Sequence, residues 1–297
     1  MKIHQGQWNI GLASDCGPLK TSNEDFGWFK ITHNEAGEEA VLAIVADGMG
    51  GYQAGDVASR LAVKMIASWW EQQILHYLDQ KEPFQKLYHE LNKRFIEINE
   101  ELLRVGVYRE IQLGTTLSVI VLIHGRYVIA HVGDSRIYQG TRSRFFVKEN
   151  DGTETLHEGS RLQQLTEDHS WVQTQVQLGR FTKEEARNHG KRNVLIQCLG
   201  IKKDVTPFQT TGRFQENDLF LLCSDGFHSL FSDREIGHLL NDAHKKHDSL
   251  EQVSGYLVHL AERSGAIDNI TVLLLQGMAT QKRSSALHKL KYWITRP

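Results

Sequence analysis

From residue 8 the chain alternates short apolar runs with turn residues. This predicts strands over 8–14 and 26–32, a turn at 34–37 (NEAG), and a buried strand over 40–46, AVLAIVA, apolar at every position. Helical spacing then takes over. Val57, Leu61, Met65, Ile66, Trp69, Trp70 and Ile74 mark a helix from Ala54 to about Leu78. A second helix runs from Pro83, a good first-turn residue, to about Val105, with Phe84, Leu87, Leu91, Phe95, Ile98 and Leu102 on one face. The paired tryptophans read as core packing.

β-branched residues return over 115–123, 126–132 and 136–139, joined by tight turns, and the NDG at 150–152 predicts a further hairpin. Residues 166–200 read as loop with short helices, one opened by a capping box at Thr182 and Glu185. A strand over 218–224 leads to capping boxes at Ser232–Glu235 and Ser249–Gln252, and a strand over 269–276 follows. Many antiparallel strands with helices grouped between them indicate an α+β fold rather than a parallel α/β sheet. No linker interrupts 1–277, which we take as one domain followed by a distinct segment, 278–297.

Composition narrows the function classes. A chain of 297 residues can bury a substantial core, and a net charge of -2 leaves no electrostatic footprint for nucleic acid. Cys16, Cys198 and Cys223 are far apart and form no C-x-x-C pair. That argues against a disulfide framework or structural zinc and fits a reducing cytoplasm. The first residues, MKIHQGQWNIGLASD, lack the apolar core of a signal peptide, and no apolar stretch is long enough to span a bilayer. Residues 278–297 differ: Lys282, Arg283, Lys289, Lys291 and Arg296 stand among Leu287, Leu290, Tyr292, Trp293 and Ile294, with no acid. Such a tail suits an anionic membrane surface or a partner protein, and equally a frayed extension or a last helix packing back on the domain.

The candidate chemistry lies in the acids. Asp47, Asp134 and Asp225 each follow an apolar run, Asp268 precedes one, and Glu24 and Asp25 stand beside the strand at 26–32. Any one of them reads as a turn former or a helix cap. Together they also read as a ligand set, because unpaired carboxylates are costly to bury and few Lys or Arg residues neighbour them. Oxygen donors without imidazole or thiolate suit hard cations, Mg²⁺ or Mn²⁺, and the glycines after Asp47 leave room for a backbone carbonyl ligand, water and substrate. The P-loop, H-E-x-x-H and G-x-S-x-G patterns are all missing from the sequence.

In one continuous order, the segments SDCGPLKTSNEDF, VADGMGGYQAGDVAS, LGTTLSVIVL, AHVGDSRIY, 165–200, LFLLCSDGF and DNITVLLL resemble the metal-dependent Ser/Thr protein phosphatases of type 2C, in their compact bacterial form. The resemblance implies a four-layer α-β-β-α sandwich, two central antiparallel sheets flanked by helices, with a dinuclear Mn²⁺ or Mg²⁺ site between the sheets. It implies that Asp47 bridges both ions, that the Gly48 carbonyl completes the first site, and that Asp225 and Asp268 hold the second ion. Asp134 with Asp225 matches a weaker third site. Glu24 would orient metal-bound water, supported by Asp25; Thr115 and Thr116 would lie beneath the site, Asn269 would shape its loop, and 166–192 would form a flap. The implied reaction is hydrolysis of phosphoserine and phosphothreonine in proteins by a metal-activated water, opposing a Ser/Thr kinase.

Two positions depart from the family pattern. Lys20 stands where an arginine usually grips the substrate phosphate, offering a point charge instead of a planar fork; it also reads as a solvated turn residue. Tyr52 stands where a histidine, a candidate general acid, usually follows DGMGG. These departures sustain an alternative, a catalytically weak regulatory module of the same fold that binds phosphoproteins. A third option is a hydrolase of small phosphate esters.

Overall fold

The computed structural model describes residues 8–50, 54–148 and 154–277, and of 142–148 and 154–161 only the backbone. Tyr52, the turn at 150–152 and the segment 278–297 therefore lie outside the described residues. One sheet has the strand order β1 (Trp8–Asp15), β11 (Ile270–Gly277), β10 (Leu219–Cys223), β7 (Arg136–Lys148), β8 (Glu154–Gln164). The other runs β2 (Asp25–His33), β3 (Glu39–Gly50), β5 (Leu117–Ile123), β6 (Arg126–Val132), β9 (Phe208–Arg213), with β4 (Leu113–Thr115) pairing the end of β3. The pairings are antiparallel.

Strand β3 shows why the chain needs four layers. Ala40, Leu42, Ile44 and Ala46 pack under α1 (Ala54–Leu78) and α2 (Phe84–Arg109), in one core with Trp69, Trp70 and Phe95. Val41, Ala43 and Val45 point the other way, into a second core shared with Phe220, Leu222, Leu273 and Leu275 of the facing sheet. Both faces are buried, so the strand is apolar throughout instead of alternating. Each fully buried Leu or Ile contributes about 2 kcal/mol by removal from water. A third core lies under α6 (Asp233–Lys246) and α7 (Leu250–Arg263), on the outer face of the β1–β8 sheet. The order helix, sheet, sheet, helix is the expected sandwich.

Several boundaries moved. Strand β3 runs past Ala46 to Gly50, because β2 and β4 continue to pair with it, so Asp47 lies within a strand and not after one. The strand expected over 115–123 is broken at Thr116, and that over 136–139 extends to Lys148 through pairing with β8. Strand β9 (FQTTGR) was not foreseen; it pairs with β6 alone and carries no apolar run. Helix α2 continues to Arg109 and ends at Glu110 in a left-handed conformation, φ 54°. The Ser232 capping box forms, as does that of Thr182, but at Ser249 only half is present. Ser249 accepts from Gln252 N, while the Gln252 side chain accepts from Asp248 N instead.

Candidate active site

Sheet register brings the acids together at one end of the gap between the sheets. Asp25 and Asp47 are direct Cα partners on β2 and β3, so their side chains leave the same face. Across the gap, Asp25 Oδ2 accepts a 2.6 Å hydrogen bond from Ser224 Oγ at the end of β10, and Ser224 Oγ accepts from Thr271 N of β11. Ser224 occupies the N-cap position of α5 (Asp225–His228), yet its hydroxyl is spent on Asp25 and not on the helix. Asp225, first in that helix, lies within hydrogen-bonding reach of Asp47.

Backbone bonds hold these acids in place. Asp47 N donates to Thr116 Oγ1 at 2.9 Å, while Thr116 N and Thr115 Oγ1 donate to the Asp47 carbonyl at 2.8 and 3.0 Å. Thr116 Oγ1 is in turn 2.8 Å from Ser135 Oγ, in the turn that carries Asp134. The Glu24 carboxylate accepts from Gly55 N at the start of α1, where unpaired backbone donors favour an anion. That approach is close: a Cβ on Gly48 would stand 2.1 Å from Gly55 O, and one on Gly55 would stand 2.8 Å from Glu24 Cδ. Asn269 pins the remaining loops. Its Oδ1 accepts from Glu24 N, and its Nδ2 donates to the carbonyls of Cys16 and Ser22.

The electrostatics show what is uncompensated. Burial pushes Asp25 up to about 7 and Asp225 up to about 6, with neighbouring carboxylates adding to both. Asp47 and Asp134 are raised well above the ordinary range, again by burial first and the other aspartates second. Burial raises Glu24 too, against the pull of Lys20. Lys20 Nζ makes a 2.6 Å ion pair with Asp268 Oδ1; burial opposes its charge, but Asp268, Asp47 and Glu24 hold the ammonium above its usual value. Asp25 Oδ1 is buried with no hydrogen-bond partner. Among the described residues, no group of three His, Cys, Asp or Glu side chains stands arranged to hold a metal ion. The carboxylates are turned onto Lys20, Ser224 and one another. A desolvated, oxygen-only donor set of this kind fits a hard divalent cation that keeps much of its own water.

Residues 166–200, of which 166–192 were expected to form a flap, include α3 (Trp171–Gln177) and α4 (Lys183–Asn188) and are tied to the turn that carries Asp134. His169 N donates to the Gly133 carbonyl, Gly133 N donates to His169 Nδ1, and the His169 ring stacks on buried His131 at 5.4 Å. Arg136 grips Asp168 through both Nε and Nη2 and also donates to Tyr138 Oη. The sequence alone did not single out Ser224, His228, Arg136 or Asp168. His228 Nε2 lies 2.9 Å from the Asp134 carbonyl, and burial holds its imidazole down at about 3. Their proximity in sequence to Asp225, Asp134 and the flap was the available signal, in SDG, GDSR and TEDH. The structure brings Lys20, Glu24, Asp25, Asp47, Asp225 and Asp268 together, and Asp134 interacts with both Asp47 and Asp225.

The protein phosphatase 2C family matches residues 21–266 of the chain. The serine/threonine phosphatase stp of Listeria monocytogenes serotype 4b is 34% identical over 278 residues, covering 93% of this chain and 98% of its own. Among solved structures, the Streptococcus agalactiae serine/threonine phosphatase superposes with a TM-score of 0.73 at 28% identity, over 91% of this chain and 99% of its own. The catalytic domain of the phosphatase PstP, solved with two manganese ions, gives a TM-score of 0.65 at 29% identity, over 91% and 98%.

Proposed function

The chain belongs to the protein phosphatase 2C family, and from that premise we propose that it hydrolyses phosphoserine and phosphothreonine in proteins at a dinuclear Mn²⁺ or Mg²⁺ centre. The observation that carries this proposal is the buried pair Asp25 and Asp47 beside Asp225, like charges gathered without enough cation to balance them. Asp47, the Gly48 carbonyl, Asp225 and Asp268 would hold the two ions, and Asp134 with Asp225 a weaker third. When bound, such ions acidify water for attack on phosphorus and neutralise charge on the phosphoryl oxygens.

The chain's own groups divide the remaining work. Glu24, oriented by Gly55 N, accepts hydrogen bonds from water. Asp25, fixed by Ser224, supports it from behind. Lys20 supplies a cation at the open edge of the cluster, where a phosphoryl oxygen can replace one of its contacts to Asp268. As the ester P–O bond breaks, Tyr52 donates a proton to the departing alkoxide; a phenol, pKa about 10, does this more slowly than an imidazole. Phosphorylated proteins are the partners, with a Ser/Thr kinase acting in the opposite direction. Cytoplasmic placement is supported by the free thiols of Cys16, Cys198 and Cys223. Among the described residues no helix is long and apolar enough to cross a membrane.

The test is hydrolysis of p-nitrophenyl phosphate and of a phosphothreonine peptide, with Mn²⁺ and with EDTA, beside Asp225→Ala. We expect Mn²⁺-dependent turnover of both, lost in the variant. A folded protein that binds Mn²⁺ but hydrolyses neither would instead be the regulatory module.

A further inference from the structure

Two large apolar side chains stand open to solvent at the mouth of the acid cluster. Leu19 is 70% exposed and Ile267 is 56% exposed. Each is the chain neighbour of one half of the Lys20–Asp268 ion pair, whose Nζ and Oδ1 are 2.6 Å apart. Neighbouring Cα atoms are about 3.8 Å apart, so both side chains spring from backbone beside that pair.

The two loops are joined rigidly. Asn269 Nδ2 donates to Cys16 O at 2.8 Å and Ser22 O at 3.0 Å, tying the β1–β2 loop to the segment before β11. Gly17 lies so close that a Cβ there would stand 2.3 Å from the Asp268 carbonyl, and its φ of +73° suits glycine alone. The loops that carry Leu19 and Ile267 are therefore tied to each other, and both side chains stand in solvent.

We propose that Leu19 and Ile267 form an apolar lip that selects phosphoproteins with an apolar side chain next to the phosphorylated residue. This rests on the phosphatase function proposed above. The occupant follows from connectivity: a phosphoryl group placed at Lys20 brings with it the residues on either side of the phosphorylated one, about 3.8 Å away along the peptide, and Leu19 is the chain neighbour of Lys20. Beside Lys20 and Asp268, the surface left to contact a flanking side chain is that of Leu19 and Ile267, which is apolar.

The experiment compares kcat/KM on two phosphothreonine peptides, one with leucine and one with glutamate on each side of the phosphothreonine, and on p-nitrophenyl phosphate. The proteins are the wild type, Leu19→Glu/Ile267→Glu and the milder Leu19→Ser/Ile267→Ser, all with Mn²⁺. The wild type should favour the leucine peptide about tenfold. Both double variants should lose most of that preference through KM, while turnover of the aryl ester stays within about twofold. Equal wild-type rates on the two peptides overturn the proposal, and so does a preference that survives both double variants. No turnover of p-nitrophenyl phosphate by the wild type overturns the phosphatase function itself, and the lip with it.

Discussion

Asp25 and Asp47 face each other directly across the β2–β3 ladder, an arrangement in which like charges weaken a sheet. Burial holds Asp25 near 7, whereas an unfolded aspartate titrates at about 3.9. In that window the folded protein binds more protons than the unfolded chain. The stability Asp25 contributes is thus complete below about pH 4 and is lost as pH rises through 7. The Tm in EDTA should fall between pH 6.5 and 8, less so in Asp25→Asn. Mn²⁺ should raise Tm more at pH 8 than at pH 6.5. A flat profile in EDTA would mean that Asp25 is not desolvated.

Lys20 competes with any cation for Asp268. Their side chains are 42% and 39% exposed, so the pair is worth about 0–1 kcal/mol. Lys20→Met should tighten Mn²⁺ binding by up to about fivefold in calorimetry. It should also raise KM for p-nitrophenyl phosphate. Lys20→Arg should lower KM by restoring a bidentate fork. Weaker Mn²⁺ binding in Lys20→Met would contradict the competition.

Gly48→Ala forces a Cβ to within 2.1 Å of Gly55 O and 2.7 Å of Glu24 O, both backbone atoms. Strain of this kind costs about 1–3 kcal/mol or more, and it displaces the start of α1 from Glu24. Chemical denaturation should show that loss, with Mn²⁺ affinity falling alongside.

Asp168→Ala leaves the Arg136 guanidinium, gripped from two nitrogens, short of its main partner. Breaking a largely buried pair costs about 3 kcal/mol. The flap base should loosen with it, since His169 is bonded to Gly133 one residue further on. Hydrogen exchange over 166–200 should rise while that of β3 stays unchanged.

Tyr52→His should speed hydrolysis of a phosphothreonine peptide relative to p-nitrophenyl phosphate, whose leaving group needs little protonation. An unchanged ratio would remove Tyr52 from the proton transfer.

Much of the site could be found from local pattern. The period of apolar residues marked α1, α2 and most strands, and the acids stood out because they interrupt or bound apolar runs. The Thr182 and Ser232 caps were readable because they depend on residues three positions apart. Strand β9 escaped because an edge strand pairing on one side needs no apolar run.

What the sequence determined by itself is therefore whatever is encoded within a few residues: periodicity, caps, and which acids are available. Only the tertiary structure decided that Asp25 opposes Asp47, that Ser224 reaches Asp25 across 199 positions, that Asn269 ties Glu24 to the opposite sheet, and that Lys20 lies on Asp268. Those relationships depend on register between strands distant in the chain and on the stacking of two sheets. Shifting a strand by a single residue turns its side chains to the other face while leaving the local composition unchanged.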